Sequence, residues 1–217
     1  MKVLGIGYRD WAISIYKNLS KNKIKIKILK KKNISLKEIN KYNPDIILFY
    51  GWSKKVSNRI VEKYKCVMLH PSKLPDFAGG SPLQNQIIRN IKKSAITLFV
   101  MSKKIDQGNI IAQKMIMLTG ELRDIFNRII KTGTLLSLNI IKKNYIEKKI
   151  RVNKIYKRRS PSQSEITHEE IRTKNAIYLY NKIRMLQDPY PNVYIKTFDG
   201  KKLYIQKASI KNPNYKK

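Results

Sequence analysis

The sequence predicts an α/β fold, a doubly wound and mostly parallel sheet followed by a short C-terminal helix and β-hairpin. Three observations predict it. The first half of the chain alternates short apolar runs with amphipathic stretches in the order βαβαβ, which a parallel sheet with crossover helices accommodates most economically. A hydrophobic content of 42% over 217 residues supplies a real core. After residue 150 the composition turns polar, and a new helix and hairpin pattern then begins.

"KVLGIG" reads as a buried strand, "RDWAISIYKNL" as an amphipathic helix and "KIKIKIL" as a strand of period two. "SLKEINKY" is a short helix opening at Ser35, and "DIILFY" is a second buried strand. "SKKVSNRIVEKY" follows as a helix and "CVML" as a strand delivering His70. "SPLQNQIIRN" starts a helix with Pro82 in its first turn. "AITLFVM" and "NIIAQKMIML" are strands around the loop "SKKIDQG", and a long helix covers Glu121 to Lys143. These give a core over residues 1–150, a linker over 151–165 and a C-terminal unit over 166–217. In that unit Thr167 and Glu170 form a capping box for a helix to Leu186. "VYIKTFDGKKLYI" is a hairpin with Asp199-Gly200 as its two-residue turn.

The formal charge of +33 points on its face to nucleic acid or an anionic surface. The excess is mainly lysine scattered among isoleucine and asparagine, as a compositional bias would leave it, so a solvated surface and a phosphate-bearing ligand both stay open. No apolar run approaches a membrane span, and "MKVLGIGYRDW" meets charge too early for a secretory leader. The expectation is a cytoplasmic protein without membrane association. One cysteine and two histidines make a His/Cys metal site an unpromising reading. Cys66 reads as a small apolar strand residue.

The stretch "MLHPSKLPDFAGGS" carries the first functional signal. His70 stands at a strand's carboxyl end, where open sheets of this kind hold ligands. Pro71 stiffens its backbone, and Gly79-Gly80 would let a ligand approach main-chain N–H groups. Asp106 follows 36 residues later; a carboxylate beside an imidazole fixes its tautomer and suits proton transfer. From spacing alone a structural histidine and an ordinary Asp turn remain open.

"HPSKLPDFAGGSPLQNQII" followed by "AITLFVMSKKIDQGNIIAQK" closely resembles the signature of the 10-formyltetrahydrofolate-dependent formyltransferases, with a Rossmann-like core. The likeness runs along the whole chain and is strongest over Leu69–Gln113. It implies transfer of a formyl group from 10-formyltetrahydrofolate to a primary amine, with His70 as proton shuttle oriented by Asp106. One departure stands out. The family has an asparagine two residues before the histidine to stabilise the oxyanion, whereas this chain has Met68, which offers no donor. Protonated His70, Gln84 and Asn85 are the replacements weighed, with Asn85 preferred; a catalytically weak folate-binding relative is the alternative.

The resemblance places the folate along Tyr50, Gly51, Trp52, Ser53, Lys54, Lys55 and Val56, with Lys103, Lys104 and Ile105 opposite. Trp52 is otherwise a half-buried aromatic cap. Tyr8, Arg9 and Asp10 would face the acceptor, together with Ser72, Gly79, Gly80, Ser81 and Gln84. The family's acceptors are initiator methionyl-tRNA, a glycinamide ribonucleotide or nucleotide-linked amino sugars of surface polysaccharides such as lipopolysaccharide O-antigen. The tRNA enzymes carry a C-terminal barrel, for which residues 166–217 leave little room. "YKRRSPSQSEI" and "RMLQDPYPNVYIKTFDGKKLYI" look more like the tail of the sugar enzymes, "RRSP" and "DPYP" also occurring in the enzyme that formylates a UDP-linked 4-amino-arabinose. The expected acceptor is therefore a nucleotide-linked amino sugar; methionyl-tRNA or another RNA is the alternative, with nucleic acid the less favoured partner. Tyr190 between its prolines reads equally as a lid or a turn. An isolated hairpin is marginal, so the face of Val193, Ile195, Leu203 and Ile205 needs a cover, either the parent domain or the same hairpin of a second subunit; a homodimer through this hairpin is the favoured expectation.

Overall fold

The computed structural model describes residues 1–211. Its centre is a six-stranded sheet built from β1 (Val3–Gly7), β2 (Ile26–Lys30), β3 (Ile46–Phe49), β4 (Cys66–His70), β6 (Lys93–Val100) and β7 (Ile110–Met117), in the spatial order β2-β1-β3-β4-β6-β7. Strands β2, β1, β3 and β4 run parallel; β6 is antiparallel to β4, and β7 to β6. Strand β1 is buried along its whole length and β3 likewise, as continuous apolar runs at the centre of such a sheet require. Cys66 is buried in β4, where loss of solvent pushes its thiol up to about 12.

Helices α1 (Asp10–Lys21) and α5 (Leu122–Ile141) pack together on one face, and α2 (Leu36–Tyr42) and α3 (Asn58–Lys63) cover the other. Ser35 caps α2 in a reciprocal box with Glu38, as its sequence predicts. Helix α3 is shorter than its pattern suggests: residues 53–57 stay irregular, and 53–56 line the cleft described below.

The chain leaves β1 toward β2 on one side and β3 enters on the other, so the carboxyl ends of β1 and β3 open a crevice. The Tyr16 hydroxyl bridges its floor, lying 2.9 Å from the Ile6 carbonyl and 2.6 Å from that of Leu48, and accepting the Tyr50 N–H at 2.8 Å. Gly5 leaves room for this ring, since a Cβ there would come within 2.9 Å of it.

The C-terminal third departs from its reading in four ways. The segment 151–165 is docked rather than free: β8 (Ile155–Tyr156) pairs in parallel with β5 (Ala78–Gly79), and Pro161–Ser164 forms a 3₁₀ turn. The expected single helix is two, α6 (His168–Thr173) and α7 (Ala176–Arg184), because Asn175 starts a new helix by accepting the Tyr178 N–H. Strands β9 (Val193–Lys196) and β10 (Lys202–Ile205) form the hairpin. Its connection is longer than two residues, Thr197 donating its N–H to Lys201 across Phe198-Asp199-Gly200. Lastly, the hairpin's inner face is covered by its own chain: Val193 is fully buried in the main core, and Ile195 and Ile205 pack against it, while Leu203 is 56% exposed. The premise of an uncovered face awaiting a second subunit is thereby corrected.

Two buried cations fasten this region. The Arg184 guanidinium donates to the Leu118 and Gly120 carbonyls at 2.8 and 2.9 Å, and the Lys182 ammonium donates to the Glu165 carbonyl and to both oxygens of Glu170. Met185, Leu186 and Ile183 belong to the same apolar cluster as Phe126 and Ile129 of α5.

Candidate active site

A cleft of about 390 Å³ opens at the carboxyl ends of β3 and β4. Its floor is apolar, with Met68, Leu69, Phe99 and Met101, and its rim is charged. Six cationic side chains line it (Arg9, Lys54, Lys55, Lys103, Lys104 and Arg158) against one carboxylate, Asp106.

His70 and Asp106 are both buried there, with His70 Nδ1 3.5 Å from Asp106 Oδ2. The opposite ring nitrogen, Nε2, lies 2.9 Å from the Phe77 carbonyl. Both nitrogens therefore face acceptors, and exchange of a proton with a ligand requires one of these contacts to be released. Asp106 sits in the left-handed region at φ +53°, which an Asp tolerates better than most residues. The same Oδ2 accepts the Gly79 N–H at 2.7 Å, so one oxygen joins the histidine to the glycine loop.

That loop overturns part of its own reading. The Gly79 N–H is taken by Asp106, and the Gly80 N–H donates to the Tyr156 carbonyl at 2.7 Å; neither is free for a ligand. The glycines are needed for the approach of β8. A Cβ on Gly79 would lie 2.5 Å from the Tyr156 carbonyl oxygen, and one on Gly80 would lie 2.5 Å from the Arg158 backbone.

Of the residues expected along the folate loop, Gly51, Trp52, Ser53, Lys54, Lys55 and Val56 line the cleft, as do Lys103, Lys104 and Ile105 opposite. Tyr50 does not. Its ring is buried beneath, stacked on Tyr16 with its hydroxyl 2.9 Å from Ser137. Gly51 takes φ +60°, and a Cβ there would meet Arg9 at 2.8 Å, so this loop folds directly against the one after β1. The Trp52 indole N–H is buried without a hydrogen-bond partner.

On the acceptor side Arg9, Gly79, Gly80, Ser81 and Gln84 line the cleft. Tyr8 stands behind them, its hydroxyl bonded to that of Ser53. Asp10 points to solvent and pairs with Lys30. Ser72 is fully buried, donating to the Asp76 carbonyl while its own carbonyl accepts from Thr97. Asn85, expected to replace the missing amide, points elsewhere: its Nδ2 donates to the Gly80 carbonyl at 2.9 Å and its Oδ1 accepts from Arg89. One position along helix α4 (Pro82–Ile87) turns a side chain by about 100°, and this rotation puts Gln84 in the cleft instead.

Sequence reasoning missed Trp11, Ile155, Tyr156 and Arg158 as lining residues, and left Tyr190 undecided between a lid and a turn; it lines the cleft. The signal for Tyr156 was weak, since a two-residue strand has no periodicity. Tyr156 stacks on Phe77 at 5.1 Å between ring centroids. Among the described residues no cluster of three His, Cys, Asp or Glu could hold a metal, and no helix is long and apolar enough to cross a membrane.

Residues 3–133 match the model of the formyl transferase family. The bifunctional polymyxin resistance protein ArnA of Wigglesworthia glossinidia brevipalpis is 31% identical over 210 residues, covering 89% of this chain. The chain spans 31% of that protein's length and 54% of another curated relative's. Among solved structures, methionyl-tRNA formyltransferase from Clostridium thermocellum superposes with a TM-score of 0.89 at 30% identity, covering 99% of this chain and 95% of that one. A sugar N-formyltransferase from a Shewanella species shares the fold with a TM-score of 0.76 at 18% identity, covering 98% and 99%. On the match over residues 3–133, with His70 and Asp106 inside it, the chain belongs to the formyl transferase family.

Proposed function

We propose that this chain transfers a formyl group from 10-formyltetrahydrofolate to the primary amine of a nucleotide-linked amino sugar. The observation that carries the transfer reaction is the buried pair of His70 and Asp106, 3.5 Å apart at the head of a cleft with room for a flat ring. The residues present fit the folate: the floor is apolar, the 51–56 and 102–106 loops face each other across it, and the Trp52 N–H lacks a partner. The folate, when bound, supplies the formyl group; Trp52, Val56 and Met101 would hold its ring, and the Lys104 ammonium would favour its carboxylate.

His70 takes the proton that the attacking amine sheds and returns one to the departing nitrogen, giving up its contact with Phe77 or Asp106 to do so. Asp106 orients the ring. With Met68 in place of an amide, Gln84 rather than Asn85 is the side-chain amide that lines the cleft. The amino-sugar acceptor is supported by the "YKRRSP" and "DPYP" segments, which fold onto the cleft and supply Tyr156, Arg158 and Tyr190. Self-association through the hairpin keeps only an outer patch of Leu203, Tyr204 and Phe198; light scattering on the full chain tests it.

A second reading, formylation of methionyl-tRNA, is favoured by the 30% identity to the C. thermocellum enzyme and by the charge of +33. Incubation with 10-formyltetrahydrofolate and, separately, a panel of nucleotide amino sugars and aminoacylated initiator tRNA, read by product mass, decides between them. A mass gain of one formyl group on a sugar nucleotide supports the first reading; a gain on the tRNA alone overturns it.

A further inference from the structure

The acceptor end of the cleft holds two guanidiniums without a carboxylate partner among the described residues. Arg9, half-buried in the loop after β1, lies with its guanidinium carbon 5.2 Å from the centre of the Tyr8 ring and 5.5 Å from that of Tyr190. Its neighbour Asp10 is turned away onto Lys30, so nothing acidic on that loop neutralises it. Arg158 arrives from the other end of the chain. Its place is fixed by hydrogen bonds on either side of it, since the Gly80 N–H donates to the Tyr156 carbonyl and the Arg159 N–H to the Ser81 hydroxyl at 3.1 Å. Its own guanidinium reaches over the mouth toward the Ser53 carbonyl at 3.5 Å, too long a contact to satisfy it.

Tyr190 stands where the two fields overlap. Burial raises its phenol, and a hydrogen bond from Gln84 and the charges of Arg9 and Arg158 act against that rise. Arg9 lies against the Tyr190 ring, and Arg158 lines the same cleft as both. Planar guanidiniums match phosphate oxygens with paired hydrogen bonds, and unpaired cations at a partly desolvated rim favour an anion of more than one charge.

We propose that Arg9 and Arg158, arranged around Tyr190, form a phosphate cradle that takes the diphosphate of the nucleotide-linked acceptor. The inference rests on the acceptor reading given above and specifies which residues recognise that substrate class. The cations of the folate loops, Lys103 and Lys54, are engaged by Glu62 and Asn33. Lys55 and Lys104 also line the cleft, but as single ammoniums without the planar fork of the two arginines.

Inorganic pyrophosphate tests the cradle directly. It carries no amine and needs no formyl donor, so its binding is read independently of any formylation assay. Both tryptophans of the chain, Trp11 and Trp52, line the cleft, which makes intrinsic fluorescence a reporter of occupancy beside calorimetry at fixed ionic strength. The expected result is saturable one-site binding to the unmodified chain, weakened about 10-fold or more by Arg9→Ala and by Arg158→Ala, the usual worth of a hydrogen bond to a charged group. Arg9→Lys and Arg158→Lys keep the charge, lose the planar fork and weaken binding by a smaller factor; they serve should an alanine variant fail to fold. Lys114→Ala removes the same charge from the exposed edge strand and leaves the affinity unchanged. Absence of one-site binding to the unmodified chain, or equal affinity in the arginine variants and Lys114→Ala, overturns the proposal.

Discussion

The two walls of the cleft are made by different means. One is the carboxyl edge of the sheet, where apolar strands of four or five residues end in His70 and in the loops after β1 and β3. The other is the segment from residue 155 onward, which reaches the site through a two-residue strand and a tyrosine between prolines. The first wall is placed by burial, each strand's position fixed by neighbours on both sides. The second is placed by a few main-chain hydrogen bonds and then anchored at a distance by Met185, Arg184 and Val193. The proposed proton-transfer pair sits on the first wall, and the proposed acceptor recognition spans both.

His70→Asn is the strongest way to break this division. Turnover should fall by about 10⁴-fold, the upper end for a lost proton-transfer group, while equilibrium binding of the folate stays near that of the unmodified chain. Activity equal to the parent would remove His70 from the chemistry. On the second wall, Met185→Ala empties a fully buried site and should cost about 2–5 kcal/mol. If the tail is part of the one core, denaturant unfolding of that variant still shows a single transition at lower midpoint. Two separated transitions would make the tail an independent unit.

Asp106 joins the walls, touching His70 and Gly79 through one oxygen. Asp106→Asn keeps the shape and removes the charge, and kcat should drop by at least about 100-fold. An unchanged rate and pH profile would reduce Asp106 to a turn residue. A smaller effect sharpens the comparison within the tail. Glu170 loses solvent, which alone would lift its carboxyl, yet the Lys182 ammonium and the Thr167 N–H hold it below 4.5. A depressed carboxyl contributes stability above its unfolded pKa and loses it as the pH falls through the folded one. Thermal stability should therefore decline below about pH 4, and less steeply in Glu170→Gln. Least of all, Asn85→Ala should leave kcat unchanged and cost about 0.5–1.5 kcal/mol of stability, since its amide serves the Gly80 carbonyl. A sharp fall in kcat would restore it as the oxyanion donor.

Most of the first wall was legible because burial writes itself into periodicity. The runs "KVLGIG", "DIILFY" and "CVML" each became a sheet strand, and the loops after them reached the cleft. Asn85 and Gln84 were harder, because adjacent helix positions point about 100° apart and no sequence signal says which faces a ligand. Tyr50 was misplaced for a similar reason: it is the last residue before the loop turns, and its ring follows the strand's inward alternation. The second wall was nearly illegible. Main-chain pairing between Ala78–Gly79 and Ile155–Tyr156 asks little of the side chains, so "NKIYKRRSPS" looked like a polar connector.

That indifference to side chains has an evolutionary consequence. Residues 155–158 hold their register against the glycine loop mainly through backbone atoms, supplemented by the Tyr156–Phe77 stack, so the amino acid at Arg158 can drift without unseating the strand, and that at Tyr156 among aromatic residues, provided Gly79 and Gly80 stay. Under the proposed roles, selection can thus explore new acceptors by rewriting a few projecting groups while His70 and Asp106 stay untouched. Transplanting acceptor preference between relatives should correspondingly succeed when residues 151–165 travel together with 78–81, and fail when either piece moves alone.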